Sequence, residues 1–120
     1  MKLFLNSGSR LRQLIIATAL AFALNPALAQ AVNEDAATAL AKAGNCFRCH
    51  SVDKAKKAPS YKRIAAKYKG NPDAEAKLMK HLSGAQKVKV EDGGDEEHEP
   101  PPAKSPDEVK NLVLWILSRD

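Results

Sequence analysis

Apolar residues recur at helical spacing in four stretches of the chain. The second stretch shows this best, because its apolar side chains lie at i, i+3, i+4 and i+7 counted from Tyr61. Residues that cap helix N-termini precede three of the stretches, and these residues are Asn33, Ser60 and Ser105. The pattern predicts helices over residues 33–43, 60–69 and 73–82, and a last helix that begins after Ser105.

The last helix has the clearest start signal in the sequence, Ser105-Pro106-Asp107-Glu108. Serine at the N-cap, proline at the first helical position and glutamate at the third form a capping box. Large apolar residues then continue through Trp115 to Leu117. This helix is therefore expected to be mostly buried.

The segment from Lys87 to Lys104 has a different composition. It holds an acidic run, residues 91–99, followed by Pro100-Pro101-Pro102. Such a segment cannot build a hydrophobic core, so we expect a solvated, acidic and proline-rich loop at about 88–104. Basic residues crowd instead into residues 54–69, which makes the sequence charge-segregated. No segment predicts a strand, and the expected fold is all-α.

The N-terminal residues resemble a secretory signal peptide. Lys2, Arg10 and Arg12 precede an apolar run, and Ala27-Leu28-Ala29 matches the pattern that signal peptidase cuts. The apolar run is too short to span a bilayer. We therefore expect residues 1–29 to be removed, which leaves residues 30–120 as one exported domain in the periplasm. Removal lowers the formal net charge from +5 to +2, because the leader holds three basic residues and no acid. Nucleic-acid binding then loses its main support.

The two cysteines of the chain lie in the motif Cys46-Phe47-Arg48-Cys49-His50. In an exported chain this spacing is typical of covalent haem attachment, with a thioether bond to each cysteine and His50 as an axial ligand of the iron. A zinc ribbon would need a second pair of cysteine ligands, and the chain has no other cysteine. A thioredoxin-like redox pair would need a βαβ setting, which the predicted helices do not provide. The motif therefore predicts one covalently bound haem c.

With this motif the chain resembles the short bacterial class I monohaem cytochromes c over most of residues 30–120. Besides the motif, the matching segments are residues 58–62, 74–76, the proline-rich loop and residues 112–118. The resemblance implies four to five short helices around one haem, with the N- and C-terminal helices crossing beside it. It also implies that the carbonyl of Pro59 accepts a hydrogen bond from Nδ1 of His50, which would fix the tautomer of that ligand.

The sequence departs from this family where the second axial ligand is expected. Members usually place a methionine in the proline-rich loop, whereas this chain has His98-Glu99-Pro100 there. His98 is the favoured replacement, because imidazole is the other common haem ligand. An open iron, His81, Met79 and Glu99 are the alternatives.

The function implied by the resemblance is electron transfer with periplasmic or membrane-bound redox proteins as partners. Two histidine ligands would make the protein a low-potential carrier, since methionine raises the potential. The alternatives are a module that binds small ligands at an open sixth position, and an electron-transfer subunit of a larger periplasmic oxidoreductase. The sequence shows no second catalytic constellation, so we do not expect an enzyme.

Overall fold

The computed structural model describes residues 30–120, and the predicted signal peptide lies outside the described residues. These residues form four helices, a short 3₁₀ turn after the first helix, and one β-hairpin between the third and fourth helices. Their bounds are α1 Glu34–Ala43, the 3₁₀ turn Cys46–Arg48, α2 Tyr61–Tyr68, α3 Ala74–His81, β1 Gln86–Lys89, β2 Asp95–His98 and α4 Pro106–Leu117. All four predicted helices are present.

The predicted N-caps form as expected. The Asn33 side chain accepts a hydrogen bond from the Ala36 N–H at 2.9 Å, and Ser60 caps α2 in the same way. At α4, the Ser105 hydroxyl accepts from the Glu108 N–H at 3.4 Å. The Glu108 carboxylate accepts from the N–H of Lys104 at 2.7 Å, one residue earlier than a standard capping box has it. Local side-chain chemistry therefore sets where each of these helices begins.

The core is built around α4, against which α1, α2 and α3 all pack. Leu112, Val113 and Trp115 of α4 are almost completely buried. On α1 the facing residues are Ala37 and Ala41, both fully buried. Their small side chains let the two helices approach closely, because interaxial distance depends on the side chains at the contact.

A polar clamp fixes the start of α1 to α4. The Asn111 side chain accepts a hydrogen bond from the Asn33 N–H and donates one to the Asn33 carbonyl, both at 2.8 Å. Asn111 is buried among apolar residues, so these two bonds satisfy an amide that would otherwise be costly to bury. The clamp sets the register of the N-terminal helix on the C-terminal one.

The prediction that no strand occurs is wrong. Residues 86–98 form an antiparallel hairpin, in which Gln86 faces His98 and Val88 faces Glu96. On the outer side, Lys89 and Asp95 form an ion pair at 2.8 Å, and Lys87 lies opposite Glu97. Opposite charges on facing residues stabilise an antiparallel pair, and this replaces the apolar alternation that usually marks strands. The hairpin contributes no residue to the hydrophobic core, so the fold remains all-α.

Within residues 30–120, none of the helices has the length and apolar character needed to cross a membrane.

Candidate haem-binding site

A cavity of about 500 Å³ lies between the helices and the hairpin. Its volume is within the range of cofactor sites. The apolar residues that line it come from α2, α3, the hairpin and α4, and they include Ile64, Leu78, Leu82, Val88, Val90, Leu112 and Ile116. Cys46, Cys49 and His50 also line it, so the predicted attachment motif faces an apolar cavity.

The motif adopts a tight turn directly after α1. Asn45 has a left-handed backbone with φ 54°, and the carbonyl of Cys46 accepts hydrogen bonds from the N–H groups of Cys49 and His50. A side chain at Gly44 would meet the Cys46 sulfur and Pro101, both 3.3 Å from its Cβ. Glycine at 44 therefore lets the proline-rich segment pass close to the first cysteine. The two cysteines do not form a disulfide with each other.

His50 is oriented by its neighbours on the same side of the cavity. Its Nδ1 lies 2.7 Å from the carbonyl oxygen of Pro59, the contact that the family resemblance implies. Because a carbonyl only accepts, the proton sits on Nδ1 and the Nε2 lone pair is available for a metal. Burial lowers the pKa of His50, which keeps the ring neutral, as a ligand must be. Tyr61 stacks on the ring, with ring centres 5.2 Å apart and planes 14° apart.

His98 lies across the cavity from His50. It is the last residue of β2, and its side chain is on the inner face of the hairpin. The two imidazole centres are 6.4 Å apart. Imidazoles bound to opposite sides of one metal have centres roughly 6 Å apart, since each metal–nitrogen bond is about 2.0–2.1 Å and each ring adds about 1 Å. His98 Nδ1 is buried and has no hydrogen-bond partner among the described residues. The distance therefore suits an iron between His50 and His98.

His81 lies beside His98 and is held differently. The two ring centres are 4.4 Å apart. The side-chain nitrogen of Gln86 donates a hydrogen bond to the His81 carbonyl at 2.7 Å. The same nitrogen lies 2.9 Å from His81 Nδ1 and, being a donor, donates a second hydrogen bond to that atom. The proton of neutral His81 then sits on Nε2, which is the wrong tautomer for binding iron through that atom. Burial lowers the pKa of both His81 and His98, so both rings are neutral near pH 7.

The other alternative ligands lie in less suitable positions. Met79 packs against the hydrophobic core and is not among the residues that line the cavity. Glu99 reaches the edge of the cavity but is exposed.

Two residues of the site were not anticipated from the sequence. Gln86 fixes the tautomer of His81, and Glu96 forms ion pairs with Arg48 at 3.5 Å and with Lys57 at 3.3 Å. Neither residue belongs to a motif. Both are brought to the site by the pairing of the two hairpin strands, and the sequence of these strands has no alternation of apolar and polar residues that would predict them. Only the charge complementarity of residues 54–69 and 91–99 hinted at such contacts.

Residues 34–120 match the family model named Cytochrome c. The chain belongs to the cytochrome c family. Cytochrome c2 of Rhodocyclus tenuis is 38% identical over 82 residues, which cover 68% of this chain and 89% of that protein. Cytochrome c-551 of Pseudomonas aeruginosa is 36% identical over 93 residues, or 77% of this chain and 85% of that protein. The crystal structure of Class 1 cytochrome MtoD from Sideroxydans lithotrophicus ES-1 matches with a TM-score of 0.69 and 55% identity, over 73% of this chain and 97% of that one.

These matches define the fold and the cofactor of this cytochrome c. The fold is that of a short bacterial class I monohaem cytochrome c, and the family implies one covalently attached haem c and electron transport. The residues present fit that group: two cysteines at the attachment spacing and a neutral imidazole border an apolar cavity.

Proposed function

We propose that this cytochrome c is a periplasmic electron carrier whose haem is attached through Cys46 and Cys49 and ligated by His50 and His98. The observation that carries the proposal is the 6.4 Å separation of the two imidazole centres across the cavity. The Pro59 carbonyl supports His50 as the proximal ligand, because this hydrogen bond raises the basicity of a ligating histidine.

The reduction potential that we propose for the haem follows from its two histidine ligands. Haem supplies one-electron chemistry when bound, and the axial ligands set its potential over about 0.8 V. Replacing methionine by imidazole lowers the potential, so we expect a carrier of lower potential than relatives with histidine and methionine ligands. The contribution of the protein is to hold both imidazoles neutral and to surround the group with apolar side chains that exclude water.

The proposed location and partners follow from the N-terminal residues and the family. A signal peptide over residues 1–29 would export the chain, and covalent haem attachment fits an exported protein with two free cysteines. We propose periplasmic or membrane-bound redox proteins as partners. Within the cytochrome c family the protein is proposed to act as a carrier and not as an enzyme.

The optical spectrum of the His98→Ala holoprotein tests the ligand assignment. Ferric wild-type protein should be low-spin and six-coordinate, and His98→Ala should convert it to high-spin, because one strong-field ligand is lost. The matched control is His81→Ala, which removes the neighbouring imidazole and should leave the low-spin spectrum. An unchanged spectrum in His98→Ala, or conversion in His81→Ala, would show that His98 is not the ligand.

The same spectra decide between the carrier and its alternative. A high-spin wild-type protein that binds carbon monoxide rapidly would favour a module for small ligands with an open sixth position. Stable association with a larger oxidoreductase during purification would favour the third possibility, a redox subunit with catalysis in its partner.

A further inference from the structure

The hairpin links the two sides of the cavity. Its β2 strand carries His98, and the inner residues of both strands line the cavity. The turn end is fastened at two points: the N–H of Glu91 donates to the carbonyl of Lys57 in the loop after the motif at 2.9 Å, and Arg63 of α2 pairs with Glu91 at 3.5 Å. The hairpin therefore reaches from the His98 side of the cavity to the segment that follows the cysteines.

Glu96 is the side chain that joins β2 to the motif itself. It lies two residues before His98 on the same inner face, and its side chain is 34% exposed. One carboxylate oxygen pairs with Arg48, which lies between the two cysteines, and the other pairs with Lys57. A partly buried carboxylate with two cationic partners is worth more than a single exposed pair. Through these two pairs Glu96 connects β2 to the motif and to the loop that follows it.

His98 depends on its strand for its position. His50 has two fixings of its own, the Pro59 carbonyl and the stacked Tyr61 ring. His98 has no hydrogen-bond partner at Nδ1 among the described residues, and its ring contacts His81. A ligand without such a hydrogen bond is held chiefly by the backbone that carries it. Movement of β2 would therefore withdraw His98 from the cavity.

We propose that Glu96 is a positioning residue that latches the hairpin to the haem motif, and that release of this latch lets a small uncharged haem ligand replace His98. The proposal rests on His98 as the distal ligand. In the exchange, the bond between iron and the His98 nitrogen breaks and a bond to the incoming ligand forms, with no change of oxidation state. Carbon monoxide is the probe, because it binds ferrous haem and carries no charge that would bias its approach.

The rate of carbon monoxide binding to the ferrous holoprotein measures the latch. At saturating carbon monoxide the rate equals the rate at which His98 leaves the iron. Glu96→Gln keeps the shape of the side chain and removes its charge, so we expect the rate to rise about fivefold to tenfold. The matched control is Asp92→Asn, which neutralises a carboxylate in the same hairpin but retains the oxygen that accepts from the Gly94 N–H. That variant should stay within about twofold of wild type.

Two further measurements separate a latch from a general loss of stability. Salt screens ion pairs, so the wild-type rate should rise with ionic strength, and the Glu96→Gln rate should rise less, through the remaining pair between Arg63 and Glu91. Lys57→Gln should raise the rate as well, and its effect should largely vanish in the Glu96→Gln background, since both changes break the same pair. Equal rates in Glu96→Gln and Asp92→Asn, or a wild-type rate that is independent of salt, would overturn the proposal.

Amide hydrogen exchange tests the latch independently of the ligand assignment. Glu96→Gln should speed exchange in β1 and β2 of the ferric holoprotein and leave α1 and α4 unchanged. If exchange is faster in Glu96→Gln but the spectrum of His98→Ala is unchanged, the latch stands and the ligand assignment fails. If His98→Ala becomes high-spin but the hairpin amides of Glu96→Gln exchange as in wild type, the ligand assignment stands and the latch fails.

Discussion

The two histidines that face each other across the cavity differ in how their rings are held. His50 donates to a carbonyl that belongs to the loop before α2, and the Tyr61 ring lies flat against it. Tyr61 is itself buried, with Trp115 at a ring-centre distance of 5.3 Å behind it. The orientation of His50 is therefore determined by the rigid helical core. His98 lies instead on a two-stranded hairpin that contributes no residue to that core.

Glu34, the first residue of α1, should make the stability of the protein depend on pH. Hydrogen bonds from Arg119 at 2.9 Å and from Trp115 lower the pKa of Glu34 below 4.5, because they favour the ionised form. The unfolded chain then binds this proton more readily than the folded one, so the stabilisation is present above pH 4.5 and is lost as the pH falls through the lowered pKa. We expect wild type to exceed Glu34→Gln in stability near neutral pH, and the difference to shrink below pH 4.5.

Urea unfolding of both holoproteins would measure this difference, over a range from about pH 3 to about pH 7 that spans the ordinary glutamate pKa of 4.5. The control is Asp35→Asn, which changes the next carboxylate of the same helical turn, a residue with no ion pair among residues 30–120. If the difference in unfolding free energy between wild type and Glu34→Gln does not change with pH, the ionised carboxylate is not what stabilises the contact.

At the scale of elements, Asn111 determines how α1 sits on α4. Asn111→Leu keeps the branched shape of the side chain but removes both hydrogen bonds to Asn33. The Asn33 N–H then loses its partner, while the Asn33 carbonyl keeps its bond from the Ala37 N–H. Loss of the two hydrogen bonds should lower the free energy of unfolding by about 1–3 kcal/mol. Denaturant unfolding of the holoprotein checks this, with Asn111→Asp as the comparison that retains one acceptor oxygen. If Asn111→Leu is as stable as wild type, apolar packing alone holds the two helices in register.

The same elements show what sequence reasoning can reach. The helices were predictable, because their caps and apolar periodicity are local, as at Ser60 and Ser105. The clamp between Asn33 and Asn111 joins residues 78 apart, and a single asparagine in a helix does not reveal its partner. The hairpin was missed because β1 has the sequence Gln-Lys-Val-Lys and β2 has Asp-Glu-Glu-His, which show no apolar alternation. His98 is predicted as a ligand only because the family resemblance draws attention to a missing methionine.

For the whole molecule, the fold brings the two oppositely charged segments of the sequence together. Glu91, Asp95 and Glu96 of the acidic run all form ion pairs with basic residues. Two of these pairs connect the hairpin to the basic segment after the motif, through Lys57 and Arg63. The acidic run is thus in part an internal structural element, and its charge is less available for steering a partner than the sequence suggests.

The largest consequence at this scale is that the haem serves as part of the core. Without the haem, the apolar side chains around this cavity of about 500 Å³ would lack packing partners on one side. A Cys46→Ala, Cys49→Ala double variant freed of haem should therefore lose most of its far-UV circular dichroism helix signal and unfold without a cooperative transition. Addition of haem should restore part of the signal, because His50 and the apolar lining remain. A haem-free variant that keeps a native helix signal and a cooperative transition would mean that the side chains around the cavity close it unaided.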